Sequence, residues 1–189
     1  KTNGLAETFV KIGKKVCRAN LVQAGLSPHW WSLAGPCAAF TRNTSGGEQS
    51  PYYRKFNQES HHVEFPFGVR VDFMPTPNVN KDPGPFEKRT ISGIFVRYHQ
   101  QPGGRFSGDY YVAELAPFRS NPDARPADVR IHRIKEVFPL DRVEARTFPL
   151  ADYRAKCREI QAGQASFDPV PAPVVEDKKP ELVDERGKG

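Results

Sequence analysis

Apolar residues recur at helical spacing in the first stretch of the chain. Set out at about 100° per residue, Lys11, Lys14 and Arg18 fall within about 40° of Glu7, while Leu5, Phe9, Ile12, Val16 and Ala19 gather on the opposite side. The pattern predicts a helix over residues 5–24, with one face packed and the other basic. Asn3 or Gly4 would cap its start, and Gly25 would end it as a C′ glycine. Gly13 in mid-helix costs about 1 kcal/mol relative to alanine, which predicts a close packing contact there. Leu21 lies off the apolar stripe, so the last turn should meet different neighbours. Ser27-Pro28 starts a second helix as N-cap and N1 proline. Trp30, Trp31, Leu33, Ala34, Cys37, Ala38 and Phe40 would supply its apolar surface, and Gly35-Pro36 predicts a kink or break. Residues 44–50 read as a loop, with one short helical turn at 53–56.

The period then falls from 3.6 to 2. Val69, Val71 and Phe73 alternate with Arg70 and Asp72, and Ile94, Val96 and Tyr98 share a face of a second strand in which Gly93 could mark a bulge. Pro102-Gly103-Gly104 turns the chain into a third strand over 109–115. A less regular strand is expected over 129–138, and Leu150, Tyr153, Cys157 and Ile160 predict a short amphipathic helix ending at Gly163. Residues 75–85 are a proline-rich loop, and from Ser166 onward the composition is that of a disordered tail. Helices first, strands next, then a helix and a tail make the fold class α+β rather than alternating α/β. Strands so short and so close in sequence suit a small barrel.

Composition sharpens this in two ways. Hydrophobic residues are 38% of the 189, with 18 prolines and 15 glycines, so small folded units with ragged connections are expected. The formal charge of +6 is uneven: residues 1–60 carry 8 basic and 3 acidic side chains, residues 161–189 carry 4 and 6. A positive potential on the folded part suits a polyanionic partner. Cys17, Cys37 and Cys157 are odd in number and widely spaced, which indicates neither a disulfide framework nor a zinc knuckle and fits a reducing compartment. No apolar run approaches 18 residues and no signal-peptide pattern opens the chain, so a soluble protein of the nucleus or cytoplasm, with no membrane partner, is expected. The chain also starts without Met and almost inside a helix, which suggests a piece of a longer polypeptide.

Candidate chemistry is sparse. Adjacent His61 and His62 would point to opposite faces of a strand, a poor start for a metal site. Phe95, Tyr98, Tyr110 and Tyr111 could stack on bases, although strand aromatics are more often core. Pro102-Gly103-Gly104-Arg105 lacks a following helix to cradle phosphate. Glu7 over Lys11, Lys14 and Arg18, taken alone, reads first as a solvated helical face and only second as a carboxylate beside a polyanion-binding row.

The first half carries a more specific pattern. Asn3-Gly4, Ala6-Glu7, Arg18, Leu21, Ala24-Gly25-Leu26, Trp31, Ala34, Ala38 and Asn43, then Pro51-Tyr52, Phe67-Gly68 and Gly93-Ile94-Phe95 with Tyr98, run in the order found in copia-type retrotransposon integrases. The chain resembles that family over about residues 2–120, from the end of the catalytic core into the SH3-like domain after it. The resemblance implies the terminal helices of an RNase H-like core in residues 1–60 and an SH3-like β-barrel in 61–120. A strand and short helix extension in 121–163 and a disordered tail in 164–189 would complete the chain. It implies DNA integration by a polynucleotidyl transferase in which two Asp and one Glu hold Mg²⁺ or Mn²⁺ in the intact parent, with DNA and other integrase subunits as partners. Glu7 stands at the position of that Glu, as catalytic residue and metal ligand, and Lys11, Lys14, Lys15 and Arg18 would hold the DNA backbone beside it. Only six residues precede Glu7 and none is Asp, so this chain alone is expected to be inactive and to bind no metal tightly. The alternative is a non-catalytic nucleic-acid- or chromatin-binding module from a decayed element.

Overall fold

A computed structural model describes residues 3–75, 89–139 and 146–161. Helix α1 spans Asn3–Ala24, a 3-10 turn spans Pro28–Trp30, and helix α2 follows directly over Trp31–Thr44. A second 3-10 turn (Gly47–Gln49), inside the stretch expected as a loop, and helix α3 (Pro51–Phe56) precede strands β1 (Arg70–Phe73), β2 (Ile91–Gln100) and β3 (Phe106–Glu114). Helix α4 (Ala116–Ser120), strands β4 (Ile131–Ile134) and β5 (Val137–Pro139), and helix α5 (Pro149–Gln161) complete the order. The fold is α+β, with a five-stranded antiparallel sheet in the order β4-β3-β2-β1-β5. The last two strands come from residues 131–139, past the segment 61–120 in which the barrel was expected. None of the described helices is long and apolar enough to cross a membrane. The proposed disordered tail and the loop over 76–85 lie outside the described residues.

Helix α1 ends where glycine allows. Gly25 has φ of +66°, Leu26 N–H donates to the Leu21 carbonyl at 3.0 Å and Gly25 N–H to that of Val22 at 3.1 Å, which is a Schellman end. The same junction anchors the helix: a side chain at Gly25 would strike the backbone of Ala151 on α5, and one at Gly68 would strike Ala24. Ser50 caps α3, its hydroxyl accepting from Tyr53 N–H at 3.1 Å.

Four local expectations fail. Helix α2 runs through Pro36 without a break. Pro36 and Ser32 are both exposed, so the Ser32 carbonyl that loses its helical donor can take water instead. Gly93 is regularly paired with Val71 and Glu114, and the register shifts fall later, between Phe95 and Arg97 and between Tyr98 and Gln100. What Gly93 supplies is closeness, since a Cβ there would lie 2.6 Å from Val112 Cγ1 and 2.9 Å from Phe73 Cε1. Gly13 has no neighbouring atom within 4 Å of a Cβ position, so no close packing explains it. The irregular strand over 129–138 is two strands, β4 and β5, parted at Lys135-Glu136.

The core joins α2 to the sheet. Phe40 is 1% exposed, with its ring centroid 4.5 Å from Tyr98 and 5.0 Å from His62. Phe95 lies 4.8 Å from Tyr98 and 5.4 Å from Phe65. The buried hydroxyls are satisfied by the segment before β1: Tyr98 Oη accepts from Phe65 N–H at 2.9 Å and Tyr110 Oη from Val63 N–H at 3.0 Å. Trp30 is wholly buried and donates from Nε1 to the Ala124 carbonyl at 2.8 Å.

Candidate nucleic-acid interface

Glu7, Lys11, Lys14, Lys15 and Arg18 all lie on exposed turns of α1. None of the five side chains makes a hydrogen bond or ion pair with another described residue. Eleven residues of α-helix separate Glu7 from Arg18, a run of about 17 Å, or roughly five phosphate steps along one DNA strand. The row leaves four cationic side chains exposed along one helix, with no carboxylate partner among the described residues. The helix is held at its far end, where Arg154 on α5 donates from Nε to the Gly25 carbonyl at 2.6 Å and from Nη2 to Asp123 at 2.6 Å.

The opposite face of α1 does not pack as its periodicity implies. Leu5 is 72% exposed and Phe9 57%, because α2 meets only part of the stripe. Between the two helices lies an open groove of about 1020 Å³. Arg42 reaches over its wall, with Cζ 5.8 Å from the Phe9 ring centroid. Trp31, expected among the apolar surface of α2, is 67% exposed on the same groove.

Glu7 stands alone as a metal ligand. No group of three His, Cys, Asp or Glu side chains converges anywhere among the described residues. A single exposed carboxylate does not fit a divalent cation that takes several oxygen ligands, so no metal-dependent step is derived for this chain. His61 is exposed, while His62 is turned inward among Phe40, Tyr98 and Phe106. Its Nδ1 lies 3.0 Å from Ser60 Oγ and its Nε2 is buried with no partner. Burial pushes the His62 pKa down, against the weaker pull of the Ser60 carbonyl and Glu64.

No family model, curated protein or solved structure matches this chain. The site therefore rests on its own geometry.

Of the strand aromatics, Phe95, Tyr98 and Tyr110 are buried and cannot stack on bases without unfolding. Tyr111 is half-buried on the other side of the sheet. Arg97 lies over it, with Cζ 4.8 Å from the ring centroid, and its Oη is 3.0 Å from His99 Nδ1. Next to it in register Arg133 pairs with Asp109, Nε to Oδ2 at 2.7 Å. Burial, aided by Arg133 and Arg97, pushes the His99 pKa down against the opposing pull of Asp109. Sequence reasoning missed this cluster. Alternation of Arg97 and His99 on β2 was a signal for it, but the cross-strand partners depend on the register.

Proposed function

We propose that this chain binds DNA as part of a copia-type integrase, with α1 laid along the phosphate backbone. The carrying observation is the row of Lys11, Lys14, Lys15 and Arg18, exposed along one helix with no carboxylate partner among the described residues. The sheet order supports an SH3-like barrel, since β1 to β4 follow one another as a meander and β5 returns to the free edge of β1. In the intact parent, Glu7 would be the third member of a carboxylate set completed by two upstream aspartates, acting with Mg²⁺ or Mn²⁺ and with other integrase subunits, in the nucleus or cytoplasm. Among the described residues it has no such company, and the part played by this stretch is to hold DNA. The second reading is a non-catalytic nucleic-acid- or chromatin-binding module from a decayed element, favoured if the affinity proves indifferent to salt.

The test is binding of a labelled duplex as a function of salt. Each phosphate neutralised contributes a slope of about −0.9 in log affinity against log salt, so replacing all four cations with alanine should flatten the slope by about 3 to 4. An affinity indifferent to salt would sink the DNA reading and favour a chromatin protein as partner. The integrase reading stands or falls on the upstream frame, which must encode two Asp in strand contexts. In a reconstructed parent, Glu7→Gln should abolish strand transfer and spare DNA binding; equal loss of both would make Glu7 structural.

A further inference from the structure

We infer that the groove between α1 and α2 docks an amphipathic helix of a partner protein whose apolar stripe is flanked by acidic side chains. Three observations carry this, and the groove shares Lys14 and Arg18 with the row proposed to hold DNA. First, the floor is apolar, with Phe9, Ile12 and Val16 from α1 facing Trp31 and Ala38 from α2. Second, its charged lining residues are Lys14, Arg18 and Arg42, with no carboxylate among the described ones. Third, Gly13 and Gly35 both line the groove and a Cβ at either would meet nothing within 4 Å.

Each glycine costs its helix about 1 kcal/mol relative to alanine and receives no packing contact in return. Together they leave two open slots in the walls, of the kind that admit the projecting side chains of a third helix. The groove runs along α1 from Phe9 to Val22, about 20 Å, which accommodates three to four helical turns. Leucines at i, i+3, i+4 and i+7 would fill the floor and slots, while Glu or Asp on either side would meet the rim.

The probe is a synthetic 18-residue peptide with that leucine pattern and glutamate at the flanking positions, compared with the same peptide carrying lysine there. Trp31 fluorescence reads the binding, because Trp30 is fully buried and insulated from the groove. The acidic peptide should bind about tenfold tighter than the basic one, as expected for three exposed ion pairs, and added salt should narrow the gap. Gly13→Leu plugs a slot at a site open enough to take it and should weaken peptide binding about tenfold. Its urea midpoint should not fall, since leucine is the better helix former, and its duplex DNA affinity should stay unchanged.

Equal binding of the two peptides, or indifference to Gly13→Leu, would overturn the proposal. So would self-association of the protein that Gly13→Leu abolishes, which would make the occupant a second copy. Binding seen only after removal of residues 162–189 would assign the groove to the chain's own end. Binding lost when the reading frame is extended upstream would make the groove an internal packing surface.

Discussion

Helix α1 and the aromatic core under α2 both carry large apolar side chains, yet they hold opposite positions in the fold. Phe40 on α2 is 1% exposed with aromatic rings on several sides; Phe9 on α1 is 57% exposed with one guanidinium above it. The contrast separates what stabilises the protein from what it presents. The sheet with α2 supplies stability, and α1, packed on α2 along part of its length and anchored at its last turn, displays a charged row that borders an apolar groove. Apolar periodicity reports the amphipathic character of a helix, but says nothing about whether its apolar side has found a partner.

The largest effect that could break this comparison is truncation on each side of it. Phe40→Ala should cost about 3–5 kcal/mol, a large share of the stability of a domain this size, whereas Phe9→Ala should cost less than about 0.5 kcal/mol. Urea denaturation of both variants measures the difference, and equal losses would mean that the exposed face of α1 is covered in solution. Next in size is Pro36→Ala, which restores a helical donor and removes a steric clash on the exposed side of α2. It should stabilise the protein by about 1–3 kcal/mol, read as a higher urea midpoint; a loss would show that Pro36 sets a bend the core requires.

The smallest expected effect is on pH dependence, and it sharpens the account of the core. His62 has its pKa lowered chiefly by burial, so the folded state binds its proton less readily than the unfolded chain does. Its contribution is fully present above the usual imidazole value near 6.5 and is lost as pH falls through it. The urea midpoint should therefore be lower at pH 5.5 than at pH 7.5, and His62→Leu should narrow that gap. What remains would come from groups such as His99, whose pKa is lowered in the same direction. An unchanged gap would show that the ring is not confined among Phe40, Tyr98 and Phe106.

Much of the architecture was legible because its causes are local. Gly25 needed a left-handed conformation to end α1, and Val69, Val71 and Phe73 alternated with polar neighbours; each signal acts within a few residues. The basic row was legible for the same reason, as helical spacing alone aligns Lys11, Lys14 and Arg18 with Glu7. Where the outcome depended on distant atoms, the local rules misled. Pro36 is tolerated because the carbonyl it frees faces solvent, and Gly93 is required because Val112 and Phe73 crowd its α-carbon from neighbouring strands.

Sequence by itself determined the periods, the end of α1 at Gly25, the turn at Pro102-Gly103-Gly104 and the sign of the charge on α1, whereas the start expected at Ser27-Pro28 is a 3-10 turn before α2 and α4 had no signal. Tertiary structure alone decided that Tyr98 and Tyr110 turn inward to hold the segment before β1, that β5 returns to β1, and that Arg97 lies over Tyr111. It alone left Phe9, Gly13 and Trp31 facing an open groove. The division follows from the range of the forces: backbone hydrogen bonds and turn sterics are settled between near neighbours, whereas burial depends on which surfaces meet when the chain closes on itself.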